Sequence, residues 1–175
     1  KAGFVPKRQL ARDVVNAVIF VVAGASDERS AALRERILDA VKGVPVKDIV
    51  ILSDGFIPHL AETVMPEAQA ELDRMKAEGR DRIIVSASPI EIVQELADKL
   101  GLEGAVGTRS EIKNGKYTGK LAGPFCYGEG KVLAIEQLAK ERGYNLAESV
   151  AYSDSISDLP FMQAVGKAVA INADL

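Results

Sequence analysis

Cysteine and histidine are almost absent from this chain: among 175 residues, Cys126 is the single thiol and His59 the single imidazole. One cysteine excludes an intrachain disulfide and a cysteine zinc site. One histidine excludes metal sites and mechanisms that need several imidazoles. His59 itself is expected at the surface or between helices, the ordinary place of an isolated histidine.

A large charge of one sign and a long apolar run are also missing. Lysine and arginine total 22 against 25 aspartate and glutamate, which leaves a formal charge of −3. This mixed balance argues against a surface built for nucleic acid or anionic membranes. The longest apolar stretch, residues 14–25, is interrupted by Asn16 and is shorter than the roughly 20 residues of a membrane span. We therefore expect no nucleic-acid partner and no stable membrane insertion.

The first residue is Lys1 and not a methionine, so the chain is expected to be a fragment or a processed product. Basic residues before the apolar stretch, with small residues at 23–25 as a cleavage site, also fit a secretory signal. Asp13 within the basic part and the missing initiator favour the alternative, a buried helix.

The pattern of apolar residues changes near residue 63. Before it, the spacing of Leu33, Ile37 and Val41 predicts an amphipathic helix that ends at Gly43. After it, short apolar strands alternate with helices, which indicates an α/β fold with a Rossmann-like parallel sheet covered by helices on both faces. The predicted elements are helices from Pro66, Pro89 and Val132, strands at residues 83–85, 150–152 and 168–171, a helix over residues 159–165, and a hairpin turning at Asn114 and Gly115.

Polar residues follow three of these strands, where parallel sheets bind ligands; Asn172 follows the last. Ser88 is explained as the N-cap of the helix at Pro89, with Glu91 completing a capping box. Capping does not explain Ser86, and a hydroxyl beside free N–H groups at a helix start forms an anion site. Ser86 is therefore predicted to bind phosphate.

Asp154 and Asp158 leave a buried strand and enter a helix. A carboxylate at a strand end costs free energy unless it is hydrogen-bonded or bound to a cation. Two carboxylates with nearby hydroxyls and waters make an oxygen-only site suited to Mg²⁺. As alternatives, Asp154 is a turn residue and Asp158 is the N-cap of the helix that begins at Leu159.

Lys131 opens a helix just after Gly128 and Gly130. The helix dipole disfavours a cation at this end, and the glycines allow a close backbone approach, so an ammonium here suits a phosphate. A solvated surface lysine is the alternative for Lys131 alone. Together with Ser86 and Asp154, the lysine makes a far more specific set.

This ordered set resembles the haloacid-dehalogenase superfamily, and more narrowly its phosphoserine-phosphatase-like branch with a helical cap. Residues 116–119, 125–131 and 152–160 are similar to stretches common in bacterial members. The resemblance implies a haloacid-dehalogenase-like α/β core over residues 63–175 and a helical cap over residues 1–62. It also implies a magnesium-dependent phosphomonoester hydrolase that works through an aspartyl-phosphate on a small phosphorylated metabolite in the cytoplasm.

The same resemblance implies roles for the motif residues. Ser86 and the backbone N–H of Ala87 would bind the transferring phosphoryl group, and Lys131 would neutralise the phosphate and the nucleophile. Asp154 would bind Mg²⁺ directly, and Asp158 would bind it directly or through water.

Two features depart from the family pattern. The nucleophile's Asp-x-Asp-x-Thr motif is missing, and Asp54 does not replace it, because Phe56 stands in place of the second aspartate and the segment follows the cap. We expect the nucleophile and the first strand to lie upstream of residue 1. Ala87 and Ser88 stand where phosphoserine phosphatases usually carry glycines, which favours another phosphomonoester.

Two other functions stay open at this point. Without the nucleophile, the chain is alternatively a non-catalytic relative that binds phosphate and Mg²⁺. It is also alternatively a truncated module of a larger lipid-modifying protein. The oligomeric state is left undetermined by the sequence.

Overall fold

A computed structural model describes residues 34, 35, 38, 39 and 41–171. The apolar segment 14–25 with its two interpretations, the predicted helical residues Leu33 and Ile37, and Asn172 lie outside this part. The division into a cap over residues 1–62 and a core over residues 63–175 stays a prediction. None of the helices in the described residues is long and apolar enough to span a membrane.

Helices and strands alternate along most of the described chain. Two one-turn 3₁₀ helices, Leu146–Glu148 and Ile156–Asp158, flank the fifth strand. The remaining elements are α1 (Val46–Glu62), α2 (Pro66–Ala77), β1 (Ile83–Pro89), α3 (Ile90–Lys99), β2 (Gly104–Thr108), β3 (Ser110–Lys113), β4 (Lys116–Leu121), α4 (Glu129–Arg142), β5 (Val150–Ser153), α5 (Leu159–Gln163) and β6 (Lys167–Ala170).

The strands that flank crossover helices pair in parallel. β1 lies beside β2 with Ile83 opposite Gly104, and β5 lies beside β6 with Val150 opposite Lys167. Each pair joins its strands through a helix, α3 or α5, as parallel pairing requires. The predicted parallel α/β class is confirmed.

β2 is a strand that the sequence did not reveal. Its five residues are all buried, yet two are glycines, and glycine weakens a strand pattern. At Gly107 the structure explains this choice, because an added Cβ would lie 2.9 Å from the Ile90 Cα and from the Ser88 carbonyl oxygen. A glycine is therefore required where β2 passes the end of β1.

Among the described residues, β1 pairs only with β2, and β5 only with β6. A cavity of about 860 Å³ lies between the two pairs. Val85 of β1, Val150 of β5 and Ala139 of α4 contribute to its walls. The two half-sheets therefore face a shared, largely apolar space.

The hairpin has the predicted turn. Asn114 and Gly115 have φ angles of 52° and 72°, both in the left-handed region, and Lys113 pairs with Lys116 across the turn. Asparagine and glycine tolerate this conformation at low cost, and such a turn matches the twist of the two strands. The hairpin prediction is confirmed.

The predicted capping box at Ser88 is wrong. β1 continues to Pro89, which is the N-cap residue of α3 and makes no side-chain cap hydrogen bond. A residue before proline is held in extended backbone by a clash with the proline ring, so Ser88 stays in the strand. Its N–H donates instead to Ser86 Oγ at 3.2 Å.

The described end of the N-terminal region packs on the α/β elements. Ile49 and Ile57 of α1 form one apolar cluster with Ile92 of α3, Tyr117 of β4 and Val41. The C-terminal end of α1 is capped by Thr63, where many helices have a glycine. α1 is therefore anchored by burial of apolar side chains against α3 and the hairpin.

An ion pair between a buried arginine and a partly exposed glutamate joins the start of β1 to the start of β2. The Arg82 guanidinium, 7% exposed as a residue, contacts both carboxylate oxygens of Glu103, with Nη2 at 2.8 Å from Oε1 and Nε at 3.0 Å from Oε2. The Arg82 backbone N–H also donates to Oε2, at 2.7 Å. These hydrogen bonds lower the pKa of Glu103 to about 2.

Glu103→Gln is expected to reduce the free energy of unfolding by about 1–2 kcal/mol at pH 7, after allowance for the partial exposure of Glu103. Because the folded-state pKa is lowered, the stabilisation is complete above the unfolded pKa of 4.5 and disappears as the pH falls toward about 2. Urea unfolding at several pH values between 3 and 7 measures this difference. Glu136→Gln, at an exposed position of α4, is the control. A stability difference between the natural chain and Glu103→Gln that stays the same at every pH contradicts the prediction.

Candidate functional site

Lys131 and Asp158, far apart in the chain, form a buried ion pair. Lys131 Nζ donates to Asp158 Oδ1 at 2.6 Å, and each side chain is only 10% exposed. The lysine lies in the first turn of α4, and Asp158 ends the 3₁₀ helix after β5. Lys131 is thus not a solvated surface lysine, because burial of its charge is compensated by the carboxylate.

Both oxygens of Asp158 accept hydrogen bonds. Ser153 Oγ at the end of β5 donates to Oδ2 at 2.7 Å, opposite the bond from Lys131 to Oδ1. Asp158 is the N-cap residue of α5, but its side chain makes no cap hydrogen bond. The alternative that this carboxylate serves as a helix cap is therefore wrong; its side chain holds the lysine.

Lys131 has a second neighbour in its pocket. Its Nζ lies 5.8 Å from the centre of the Phe161 ring. A cation within about 6 Å of an aromatic centre is attracted to the ring face. Asp158 and Phe161 together hold the ammonium in a largely buried position near the end of β5.

Asp154 directly follows β5 and is exposed. In the part of the chain that the structure describes, its carboxylate has neither a hydrogen bond nor an ion pair. The neighbouring serines satisfy the backbone instead: Ser153 Oγ accepts the Ser155 N–H at 3.2 Å, and Ser155 Oγ accepts the Ser157 N–H at 3.3 Å. Within the described residues, the Asp154 carboxylate thus stands at the strand end without a protein partner.

Ser86 lies within β1, where the pairing with β2 changes register between Val85 and Pro89. Its Oγ accepts the Ser88 N–H, so its own O–H remains available to donate. Between these serines, the Ala87 carbonyl accepts a hydrogen bond from Thr108 Oγ1 at 2.7 Å. Side-chain hydrogen bonds therefore contribute to the shape of residues 86–88, the irregular end of β1, which we call the Ser86 loop.

Cys126 connects this loop with the ion pair. Its thiol is fully buried, and burial raises its pKa to about 11. The Lys131 charge lowers this pKa, the Asp158 charge raises it, and a hydrogen bond from the Ser86 backbone lowers it. The Cys126 backbone N–H donates to Thr108 Oγ1 at 3.2 Å, and the same oxygen donates to the Ala87 carbonyl, so the segment that leads into α4 lies close to residues 86–88.

Asp54 and His59 lie apart from these residues. Residues 49–56 belong to α1 and not to a strand, and Asp54 is exposed on that helix. Its rejection as a strand-end nucleophile is confirmed. The His59 side chain is 84% exposed and faces Glu62, which confirms the expectation of a surface histidine.

Sequence reasoning missed Ser153, Cys126 and Thr108. Ser153 stands inside the motif of residues 152–160, but only the fold shows that its hydroxyl contacts Asp158. Thr108 ends β2 and Cys126 precedes α4, so no spacing along the chain links them to Ser86. Their common signal is a small polar side chain at a position that is otherwise apolar and buried.

A metal ion at this site would need ligands in addition to the carboxylates of Asp154 and Asp158. Among the described residues, no three histidine, cysteine, aspartate or glutamate side chains are grouped so that they could hold a metal ion. Mg²⁺ nevertheless needs only one or two carboxylates when waters and a substrate phosphate complete its shell. The free carboxylate of Asp154 and the nearby serine oxygens fit that requirement in chemistry.

Several known proteins are similar to this chain. The sequence pattern of the haloacid dehalogenase-like hydrolases matches residues 2–163. A probable phosphatase from Mycobacterium tuberculosis is 37% identical over 173 residues, which cover 98% of this chain and 60% of that protein. A phosphoserine phosphatase from the same organism is 36% identical over 145 residues, which cover 82% of this chain and 47% of that protein.

The fold has a close counterpart among solved structures. A protein of unknown function from Bordetella pertussis Tohama I superposes with a TM-score of 0.76 over 99% of this chain and 78% of that one, at 24% identity. This similarity concerns the fold alone. The chain spans 60% of the length of the probable phosphatase, so the relatives contain residues beyond the matched part.

Proposed function

Because this chain belongs to the haloacid dehalogenase-like hydrolase family, we propose that the protein containing it is a magnesium-dependent phosphomonoester hydrolase that works through an aspartyl-phosphate. The buried pair of Lys131 and Asp158 beside the Ser86 loop carries this proposal. Burial of an ammonium at the ends of parallel strands costs free energy of folding, and a functional need for the charge at this place accounts for that cost. Relatives named as phosphatases support the same reaction class.

Each side chain has a distinct task in the proposed reaction. The Ser86 hydroxyl and the Ala87 N–H bind oxygens of the phosphoryl group. Lys131 balances the charge that develops on those oxygens, and Asp158 holds the ammonium in place. Phosphoryl transfer depends mostly on such positioning and electrostatic stabilisation.

Asp154 is the proposed Mg²⁺ ligand. When bound, the ion supplies positive charge that stabilises phosphate oxygens. Asp158, with both oxygens hydrogen-bonded, is proposed to reach the ion through water while it orients Lys131. The exposure of Asp154 leaves room for the waters that Mg²⁺ retains.

The nucleophilic aspartate is proposed to lie on a strand upstream of residue 1. The cavity between β1 and β5 supports this placement, because both of these strands border it and, among residues 41–171, neither has a strand partner on that edge. A strand between them would join the two pairs into one sheet. Its carboxyl end would then lie between Ser86 and Asp154, where parallel sheets hold ligands.

We propose that the substrate is a small phosphorylated metabolite and that the protein is located in the cytoplasm. Ala87 and Ser88 stand where the family resemblance places glycines in phosphoserine phosphatases, so phosphoserine itself is not the proposed substrate. The cap of residues 1–62 is proposed to select the organic part of the substrate.

The test uses the natural full-length protein that contains this chain. We expect it to release phosphate from p-nitrophenyl phosphate with Mg²⁺, to lose this activity in excess EDTA, and to regain it on addition of Mg²⁺. Unchanged turnover in EDTA would contradict the metal assignment. Phosphate binding without any turnover would identify a non-catalytic relative instead.

A further inference from the structure

Thr108, the last residue of β2, has a hydroxyl that serves two loops at once. It is 7% exposed, and its Oγ1 donates to the Ala87 carbonyl at 2.7 Å. The same oxygen accepts the backbone N–H of Cys126 at 3.2 Å. One hydroxyl therefore joins the Ser86 loop to the segment that leads into α4 and Lys131.

The bond to Ala87 acts on the Ser86 hydroxyl through a single peptide group. The Ala87 carbonyl and the Ser88 N–H belong to the same rigid peptide plane. That N–H donates to Ser86 Oγ at 3.2 Å. When Thr108 holds the carbonyl, it also holds the N–H that orients the Ser86 oxygen.

Regular pairing between β1 and β2 does not hold the peptide group between Ala87 and Ser88 in place. The register of β1 and β2 changes between Val85 and Pro89, so the peptide groups in between are outside the regular pairing. Without the Thr108 hydroxyl, the part-buried Ala87 carbonyl and the buried Cys126 N–H would each lose this hydrogen bond. Such groups reorient to find new partners, because an unsatisfied buried polar group costs free energy.

The bond to Cys126 acts on the other half of the site. Cys126 is buried and stands five residues before Lys131 in the chain. α4 begins three residues later at Glu129, with Lys131 in its first turn. Anchoring the Cys126 N–H therefore fixes where the lysine enters the site relative to the Ser86 loop.

We propose that Thr108 is a positioning residue that sets the Ser86 hydroxyl and the Lys131 ammonium at a fixed separation for one phosphoryl group. The inference rests on the proposed phosphatase function and adds a residue that does not touch the substrate. This role requires a side chain that donates one hydrogen bond and accepts another at the same time. Threonine and serine provide such a side chain, and valine, of the same shape as threonine, does not.

Steady-state kinetics of the full-length protein with p-nitrophenyl phosphate test the proposal. We expect Thr108→Val to lower kcat/KM by about 10- to 100-fold, since a displacement near 1 Å has that effect. The inhibition constant for inorganic phosphate should rise in parallel. Thr108→Ser should keep kcat/KM within about 3-fold of the natural protein, because the hydroxyl remains.

Two further variants separate positioning from general damage. Thr118→Val removes a hydroxyl that bonds Glu111 in the hairpin, and it should leave the kinetics unchanged. In a Ser86→Ala background, Thr108→Val should cost less than it does alone, since the part of its effect that passes through the Ser86 hydroxyl is already lost. A merely structural loss would be equally large in both backgrounds. Thr108→Ala replaces the valine variant where that one fails to fold.

The outcomes distinguish the two proposals. A folded Thr108→Val variant with natural kinetics overturns the role of Thr108 while the phosphatase function stands. Where the natural protein shows no turnover, the phosphatase function fails, and equilibrium dialysis with radiolabelled phosphate decides the role of Thr108. Weaker binding by Thr108→Val supports it; equal binding, or no binding by the natural protein, overturns it.

Discussion

Asp154→Asn is expected to reduce Mg²⁺-dependent phosphate release by about 10³-fold or more, because the metal supplies several kcal/mol of charge stabilisation and about 1.4 kcal/mol corresponds to a factor of ten. The free energy of unfolding should change by less than about 0.5 kcal/mol, as is usual at exposed sites. Asp154 is exposed and has no partner in the described residues. Activity and stability therefore separate cleanly at this position.

Phosphate release as a function of Mg²⁺ concentration measures the first effect, and urea unfolding measures the second. Asp98→Asn, at an exposed position of α3, makes the same chemical change away from the strand ends and should retain full turnover. Natural activity in Asp154→Asn at all Mg²⁺ concentrations would show that this carboxylate does not bind the metal.

Lys131→Met is expected to lower both turnover and stability. Removal of the ammonium leaves Asp158 buried and without its charged partner, which costs about 3–5 kcal/mol for a buried pair. Such a loss is a large fraction of the stability of a typical domain. Turnover should fall by at least about 10²-fold, the effect of deleting one charge that stabilises a transition state.

The double variant Lys131→Met with Asp158→Asn separates the two effects. It removes the unpaired charge, so most of the lost stability should return, while turnover should stay low. Urea unfolding at pH 7 and phosphate release measure the two quantities, and Lys140→Met on the exposed side of α4 is the control. A Lys131→Met variant as stable as the natural chain would show that the ion pair contributes little to folding.

The family could be predicted from three short stretches. Residues 116–119, 125–131 and 152–160 carry the resemblance, and the match of residues 2–163 to the haloacid dehalogenase-like hydrolases confirms it. The phosphoserine-phosphatase-like branch is confirmed by the relative of that name. These stretches are recognisable because their residue types stand at fixed offsets along the chain.

Local rules predicted other features with mixed success. Asn114 and Gly115 marked a tight turn, and Gly143 ended α4 with a φ of 73°, as their backbone freedom requires. Ser88 was misassigned because two local rules competed there, and the restriction that Pro89 imposes was stronger than capping. β2 was missed because its two glycines weaken the strand pattern, and the close approach of Ile90 that requires Gly107 is a tertiary contact that no local pattern contains.

The sequence by itself determined the alternation of strands and helices, the hairpin, and the residue types that phosphate chemistry requires: Ser86, Lys131, Asp154 and Asp158. Each depends on neighbours within one turn or one strand, so a short segment is sufficient to express it. The roles of these residues stay proposals.

Only the tertiary structure decided which of these groups contact one another. It pairs Lys131 with Asp158, leaves Asp154 without a partner among the described residues, and joins Ala87 to Cys126 through the Thr108 hydroxyl. These contacts join residues 18 to 27 positions apart. They exist because burial leaves polar groups without water, and each must then find its partner across the fold and not along the chain.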